Sequence, residues 1–226
     1  MAARWARPAS GTCSTSTAYA EKKSKHATER DTERVRAARA EHVETVCTRP
    51  DVARFHFLDE TGLRLDYCRH YARAKGGQRV GQPVPLTRGR SLTLIGALSV
   101  RGLGAVQLLE GGLNYVNFAW YVTECLAPTL RRGDVLVLDN LSVHKLPGVV
   151  DWLAEWGVEV VFLPPYSPDF SPVEQAWSKL KTKLRAAQAR TREALEHAVQ
   201  QAISWITSQD ARNWFDHCGY HTQPAQ

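Results

Sequence analysis

The sequence has few cysteines, no long apolar run and no apolar N-terminal segment, and each of these absences excludes a class of protein. Its five cysteines are odd in number and form no Cys-x-x-Cys pair. This argues against a disulfide framework or a zinc ribbon and favours a reducing compartment. No apolar stretch approaches the roughly eighteen residues that a membrane span needs. The first twenty residues lack the apolar core of a secretory signal, so we expect a cytoplasmic protein without membrane contact.

Acidic residues are outnumbered, because 23 Asp and Glu stand against 29 Lys and Arg, and the formal net charge is +6. The excess lies mainly between residues 60 and 104 and between residues 174 and 192. The stretch 71–90 combines five positive charges with Gly and Pro, which predicts a basic loop. Such a loop either contacts a nucleic-acid backbone or is simply solvated, and composition leaves both interpretations open.

The apolar patterns predict an α/β fold in one sizeable domain. Residues 1–20 show no apolar period and are expected to be irregular or disordered, and residues 21–49 to form an exposed helix. Strands are predicted at 55–58, 63–67, 92–100, 105–109, 135–138 and 158–163, with turns at Thr61-Gly62 and 101–104. Helices are predicted at 118–126, 147–156, from Glu174 onward and at 192–208. This order indicates a mixed sheet, with three antiparallel strands followed by a βαβ unit, flanked by helices.

Three carboxylates stand at the ends of predicted elements. Asp59 and Asp139 each end a strand, and Glu174 begins a late helix. If their strands are parallel neighbours, the two aspartates project from one sheet edge, where a cation such as Mg²⁺ would relieve their repulsion. Each also has a structural explanation, because strand-end aspartates are common in turns and Ser171 to Glu174 reads as a capping box. Composition and periodicity do not choose between these interpretations.

The segments around these carboxylates carry a family resemblance. They read FLDETG at 57–62, LDNLSVHK at 138–145, LPPYSPD at 163–169 and SPVE at 171–174, and 34 residues lie between Asp139 and Glu174. In this order and spacing, the sequence resembles the DDE transposases of the Tc/mariner superfamily, specifically the bacterial insertion-sequence branch. The resemblance covers roughly residues 21–222.

The resemblance implies a ribonuclease H-like catalytic domain, which we expect at residues 51–222 after an irregular or helical extension at residues 1–50. Carried over by motif, the catalytic and metal-binding triad is Asp59, Asp139 and Glu174. Two Mg²⁺ ions, or Mn²⁺ in their place, would activate a water or a 3′-hydroxyl and stabilise the departing oxygen of a phosphodiester. The implied activity is cleavage at the ends of a mobile element, followed by strand transfer into target DNA.

Further residues receive roles from the same motifs and from charge. Asn140 and His144 are expected to support the metal ligands or to contact DNA, and a purely structural role is equally open. Glu60 is predicted to face the opposite side of its strand from Asp59, so it is not counted as a ligand. The residues expected to contact DNA phosphates are Arg73, Lys75, Arg79, Arg88, Arg90, Lys179 and Lys183.

The implied partner is double-stranded DNA, with a homodimer when two element ends are brought together and with action at the nucleoid. Complete members of the family carry N-terminal helix-turn-helix domains, and the first fifty residues show no such motif. We therefore expect either a separate helix-turn-helix partner or a truncated chain. Two alternatives remain, namely a non-catalytic DNA-binding remnant that modulates transposition and a nuclease acting on RNA–DNA hybrids, which the Tyr/Pro-rich motif disfavours.

Overall fold

Five strands form one mixed sheet at the centre of the fold. The structure, a computed structural model, describes residues 27–69, 71, 73–81, 83–85 and 91–221. The strands are β1 (Phe55–Leu63), β2 (Leu92–Ser99), β3 (Gly102–Glu110), β4 (Val135–Leu138) and β5 (Glu159–Phe162). Their order is β3-β2-β1-β4-β5. The first three strands pair antiparallel, whereas β1–β4 and β4–β5 are parallel. The predicted mixed sheet is confirmed.

Helices cover both faces of this sheet. In the described ranges they are α1 (Glu33–His42), α2 (Tyr115–Trp120), α3 (Pro147–Glu155), α4 (Val173–Ala187), α5 (Arg192–Ile203) and α6 (Ser208–His217). α3 connects β4 to β5 and is the predicted crossover. The helix predicted at 192–208 is wrong at its C-terminal end, because α5 ends at Ile203 and Thr207 caps the separate helix α6. Among the described helices, none is both long and apolar enough to cross a membrane.

Alternation along the strands divides the buried side chains into two cores. On one face, residues such as Phe57 and Val137 pack against α4, α5 and α6. On the other face, their chain neighbours Leu58 and Leu138 pack against α2 and α3. Successive strand residues point to opposite faces, so a sheet with two covered faces needs continuous apolar runs such as VLVL at 135–138.

The turn predicted at Thr61-Gly62 and the strand predicted at 63–67 are both wrong. β1 runs unbroken to Leu63, because β2 pairs with it as far as Leu92. Leu65 and Tyr67 pack against the core under α4, and Arg190 donates hydrogen bonds to both of their carbonyls. The alternating apolar side chains of this segment are therefore packed against helices and not against a neighbouring strand.

A bulge and a glycine make room beside the middle of β1. The turn between β2 and β3 is shorter than predicted, because Ser99 already pairs with Gly102. Further along the same two strands, the pairing register shifts at Gly96 of β2, which marks a bulge. A Cβ atom at Gly96 would lie 3.2 Å from Trp177 Cη2 and 3.2 Å from Val106 Cγ2. Glycine at this position therefore lets the indole of Trp177 lie directly over the sheet.

The helix predicted to be exposed has one buried side, which packs on the C-terminal residues. His42 is 5% exposed, and its Nε2 lies 2.8 Å from the Tyr220 hydroxyl. That hydroxyl donates to the carbonyl of Phe170 at 2.9 Å, so the neutral imidazole is the donor to Tyr220. Burial, with the nearby charge of Arg39, lowers the pKa of His42 to about 4.

Mild acid should therefore destabilise the fold through His42. The folded-state pKa lies below the ordinary value, so the unfolded chain binds more protons between about pH 6.5 and 4. The stabilising contribution is complete above this window and is lost as the pH falls through it. Between pH 7 and 5, wild-type unfolding free energy should fall by roughly 1–2 kcal/mol more than that of His42→Gln. Denaturant melts measure this difference. His197→Gln, at an exposed position, is the control, and an equal pH response in all three chains would contradict the prediction.

Candidate active site

A cleft of about 510 Å³ opens at the sheet edge beside β1, β4 and the start of α4, and it is lined by Asp59, Asp139 and Glu174. The parallel pairing places Phe57 opposite Val137. Asp59 lies two residues beyond this pair on β1, and Asp139 directly follows the end of β4. The three predicted carboxylates thus lie around one cleft.

Asp59 lies inside β1, so the prediction that it ends its strand is wrong. β4 is the strand that ends here, at Leu138, and this leaves the next positions on β1 beside open space. The Trp177 indole donates its Nε1–H to Asp59 Oδ2 at 3.0 Å. Burial, followed by the negative charges of Glu174, Glu60 and Asp139, raises the pKa of Asp59 to about 7.

Asp139 is held by His144, which also faces Glu60. His144 is fully buried, and its Nδ1 lies 2.6 Å from Asp139 Oδ1, while the Leu141 backbone N–H donates to the same oxygen at 3.0 Å. On the other side of the ring, Nε2 lies 3.4 Å from Glu60 Oε2. Burial alone would lower the pKa of His144, but its contacts with Asp139 and Glu60 outweigh this and raise it to about 9. The His144 ring therefore lies between two carboxylates, hydrogen-bonded to Asp139 and within ion-pair distance of Glu60, a contact that sequence reasoning missed.

The pKa of Asp139 shifts downward. Burial would raise it, but the hydrogen bonds from His144 and from the Leu141 N–H, together with the charge of His144, outweigh burial. Next to it, Asn140 lines the cleft and donates from its side chain to the carbonyl of Leu163, which follows β5. This bond connects the loops after two neighbouring strands.

Glu174 lies in the first turn of α4, but the capping box predicted at Ser171 is wrong. α4 begins at Val173, its N-cap is Pro172, and no side chain caps it. The turn Pro168–Phe170 and the helical backbone of Pro172 displace Ser171 from the cap position. The charge of a carboxylate in a first helical turn interacts favourably with the helix dipole.

The predicted DNA-contacting residues fall into three groups. Arg73, Lys75 and Arg79 are exposed in the segment between β1 and β2, while Arg88 and Arg90 lie outside the described residues. Lys179 forms an ion pair with Asp210 at 2.6 Å, and the ammonium of Lys183 lies over the ring of Trp205. Both α4 lysines thus have protein partners, and contact of this whole set with DNA stays a prediction.

Two other basic residues approach the carboxylates. Arg34 of α1 lines the cleft. Lys181 lies two helical turns beyond Glu174; burial lowers its pKa, and the charges of Glu174 and Asp59 act in the opposite direction. The i, i+7 spacing from Glu174 could have indicated Lys181, but nothing in the N-terminal sequence singles out Arg34.

The cleft has the donor chemistry for a divalent cation. Carboxylate oxygens are the ligands that Mg²⁺ and Mn²⁺ prefer, and the pKa of Asp59 is raised first by burial and then by nearby negative charge, both of which a cation would offset. Among the described residues, no three His, Cys, Asp or Glu side chains already form a metal-holding group. Asp59 Oδ2 accepts a hydrogen bond from Trp177 and Asp139 Oδ1 is bonded to His144, and each carboxylate has a second oxygen that could ligate an ion.

Sequence comparison identifies related proteins. Residues 54–196 match the family described as DDE superfamily endonuclease. The Tcb1 transposase of Caenorhabditis briggsae, a transposable-element protein, is 21% identical over 159 residues, which are 69% of this chain and 57% of Tcb1. The chain therefore spans little more than half the length of this relative.

Solved structures of similar fold include several of the Mos1 transposase. The paired-end complex with the left transposon end superposes with a TM-score of 0.72 at 16% identity, covering 90% of this chain and 64% of Mos1. The Mos1 mariner catalytic domain has a TM-score of 0.63 at 14% identity, covering 86% of this chain and 91% of that domain. The ribonuclease H-like fold implied by the motifs is confirmed. Because the family match extends over more than half of the sequence, this chain belongs to the DDE superfamily endonucleases and is similar to the Tc1/mariner transposases.

Proposed function

We propose that this chain carries the catalytic domain of a DNA transposase, from the bacterial insertion-sequence branch of the Tc/mariner superfamily, which cuts element ends and joins them to target DNA. The observation that carries the proposal is the placement of Asp59, Asp139 and Glu174 around one cleft. Burial and then the negative charges of Glu174, Glu60 and Asp139 raise the pKa of Asp59, and a bound cation would offset both effects. Solved Mos1 complexes include one with the left transposon end and paired-end complexes with Mg and with Mn, which support DNA as substrate and a divalent metal as cofactor.

The three carboxylates are the proposed metal ligands. When bound, Mg²⁺ or Mn²⁺ supplies a Lewis-acidic centre that lowers the pKa of an attacking water or 3′-hydroxyl and stabilises the leaving oxygen. The chain contributes the placement of the ligands. His144 orients Asp139, Trp177 orients Asp59, and the first turn of α4 presents Glu174 to the same space.

His144 has a second proposed task, which is to keep Asp139 ionised. Its positive charge, shared with Glu60, lowers the pKa of Asp139, so this carboxylate is available at neutral pH. Asp59 differs, because at pH 7 it is near its midpoint and would lose its proton when a cation binds. Metal binding should therefore release protons at neutral pH.

The remaining parts of the proposal concern organisation. We place the catalytic domain at residues 51–222 after an extension at residues 1–50. Two element ends would be synapsed by a homodimer, with a helix-turn-helix module on a partner chain for end recognition, and the DNA would be that of the nucleoid. The basic segment between β1 and β2 would follow the DNA backbone.

The direct test is metal-dependent cleavage of DNA that carries the element's terminal inverted repeats. Purified chain is incubated with labelled duplex in Mg²⁺, in Mn²⁺ or in EDTA, and products are separated on denaturing gels. We expect nicks at the repeat ends with either metal, strand-transfer products when target DNA is added, and neither in EDTA. Equal cutting in EDTA would refute the metal-dependent mechanism.

The second candidate is a DNA-binding remnant without catalysis that modulates transposition by other chains. The observation in its favour is the exposure of Arg73, Lys75 and Arg79, which could bind a DNA backbone without any metal. It predicts salt-sensitive DNA binding with no turnover in any metal. Cleavage of an RNA–DNA hybrid in preference to duplex DNA would instead support the hybrid-nuclease alternative.

A further inference from the structure

We infer that α1 forms one wall of the acidic cleft and that Arg34, on this wall, binds a backbone phosphate of the DNA strand lying in the cleft. The inference rests on the proposed function, because it assigns a residue to the binding of that substrate. It concerns a helix that the sequence predicts only as an exposed N-terminal segment and that precedes the family match at residues 54–196.

Arg34 is an exposed guanidinium that lines the same cleft as Asp59, Asp139 and Glu174. Within the described part of the chain, no hydrogen bond or ion pair joins its side chain to any of these carboxylates. An arginine that served only to neutralise them would be expected to form a bidentate pair with one of them. Arg34 keeps its planar set of five donors available, which suits a phosphate.

The position of Arg34 is held by a clamp between α1 and the loop that leads into α4. Arg30 and Arg39 both bind the carboxylate of Asp169, at 3.0 Å and 2.7 Å, and Arg39 donates to the Ser167 hydroxyl at 2.6 Å. The Arg39 guanidinium also lies 4.4 Å from the centre of the Phe170 ring. Arg34 lies between the two clamping arginines along the chain. The loop of Asp169 continues directly into the helix that carries Glu174.

The charge balance of the cleft explains why such a residue is needed. A DNA strand is a polyanion, and the three carboxylates repel it wherever bound cations do not compensate their charge. Lys181 lies two helical turns beyond Glu174 and supplies a positive charge on α4. Arg34 supplies the second positive charge from α1. The two positive charges thus come from two different helices, and each reduces the repulsion that the carboxylates exert on a phosphate backbone.

The test compares Arg34→Gln with Arg36→Gln. Arg36 is exposed on the same helix, but residues two apart do not share a helix face, so the control removes the same charge from outside the cleft. Binding of a short fluorescent duplex is measured by anisotropy at several salt concentrations in EDTA, and cleavage kinetics are measured in Mg²⁺. Arg34→Gln should weaken binding and raise KM about tenfold and reduce the salt slope by about 0.9. Arg36→Gln should change binding less than about twofold.

A double-mutant cycle tests the clamp. Asp169→Asn releases Arg30 and Arg39, so adding Arg34→Gln to Asp169→Asn should weaken DNA binding by less than it does in the wild-type background. If Arg34→Gln weakens DNA binding equally in both backgrounds, the clamp does not position Arg34. If wild type binds and cuts DNA while Arg34→Gln behaves like Arg36→Gln, the assignment of Arg34 is overturned and the proposed function stands. If wild type neither binds nor cuts DNA, both the assignment of Arg34 and the proposed function are overturned.

Discussion

The Asp139→Asn variant is expected to lose metal-dependent cleavage of DNA by roughly 10³-fold, the upper range for removing one preorganised electrostatic group. Asparagine keeps the size of the side chain but removes the charge that a divalent cation needs. DNA binding should change less than about threefold, because Asp139 is a proposed ligand of the metal and not of the phosphate backbone. Gel assays of nicking and anisotropy titrations on the same preparations measure the two effects.

The stability of the Asp139→Asn variant must be measured as well. His144 is buried and positively charged, and Asp139 is its nearer carboxylate, so the substitution leaves only Glu60 as an anionic partner. A stability loss of about 1.5–3 kcal/mol is expected from a weakened buried charged hydrogen bond. Circular dichroism melts quantify this loss, and assays well below the melting temperature keep it separate from the loss of cleavage.

Two further variants make the outcome decisive. Glu174→Gln removes another proposed ligand without touching His144, and it should lose cleavage to a similar extent. Asp151→Asn makes the same chemical change as Asp139→Asn at an exposed position on α3 and should remain active. Full cleavage by Asp139→Asn or by Glu174→Gln would show that the triad is assigned wrongly.

The Asp59→Asn variant is expected to lose cleavage and, at the same time, to make the metal-free protein more stable. The folded-state pKa of Asp59 is raised to about 7 from 3.8. Between these values the folded state binds more protons than the unfolded state, so stability falls as the pH rises through this window. Above about pH 7 the full cost of ionising Asp59 is present. Asparagine removes this cost and still accepts the hydrogen bond from Trp177.

The expected gain at about pH 8 is roughly 1–2 kcal/mol, after solvent screening of a cleft residue is allowed for, and it should vanish near pH 4. Added Mg²⁺ or Mn²⁺ should make the wild type more stable than Asp59→Asn. A ligand present at a hundred times its Kd raises the free energy of unfolding by about 2.7 kcal/mol. The wild type should gain this stability on adding metal, whereas Asp59→Asn should not. Melting curves across pH, with and without metal, provide the measurement, and Asp151→Asn is again the control. Greater stability of metal-free wild type at pH 8 would contradict the repulsion that the cleft geometry implies.

The Asp59→Asn variant tests a property of the cleft, because the arrangement proposed for catalysis leaves a buried carboxylate near other negative charges until a cation is bound. Functional sites commonly hold such stored repulsion, and substitutions that relieve it stabilise the protein while removing its activity. Asp139 and Asp59 differ in the neighbouring group that could offset this repulsion. His144 compensates Asp139 within the chain, whereas Asp59 has a neutral indole as its partner.

Local patterns in the sequence predicted much of the fold. The run VLVL at 135–138, the crossover helix and the strand at 158–163 identified the βαβ unit, because parallel strands covered on both faces require continuous apolar runs. Motif spacing indicated which carboxylates lie together. The errors occurred where distant partners decide local structure. β1 continues past Thr61-Gly62 because β2 pairs with it there, and the stretch at 63–67 meets helices instead of a strand.

The sequence by itself determined the family and the mixed sheet and predicted three carboxylates that line one cleft, since these depend on short motifs and on periodicity within single elements. Only the tertiary structure decided how the cleft is held together. Trp177 is 118 residues from Asp59 in the chain, and Arg39 is 130 residues from Asp169. Contacts over such separations leave no periodic trace in either segment, because each partner is selected by the packing of the whole domain. The wall formed by α1, and Arg34 on it, therefore became visible only once the chain was folded.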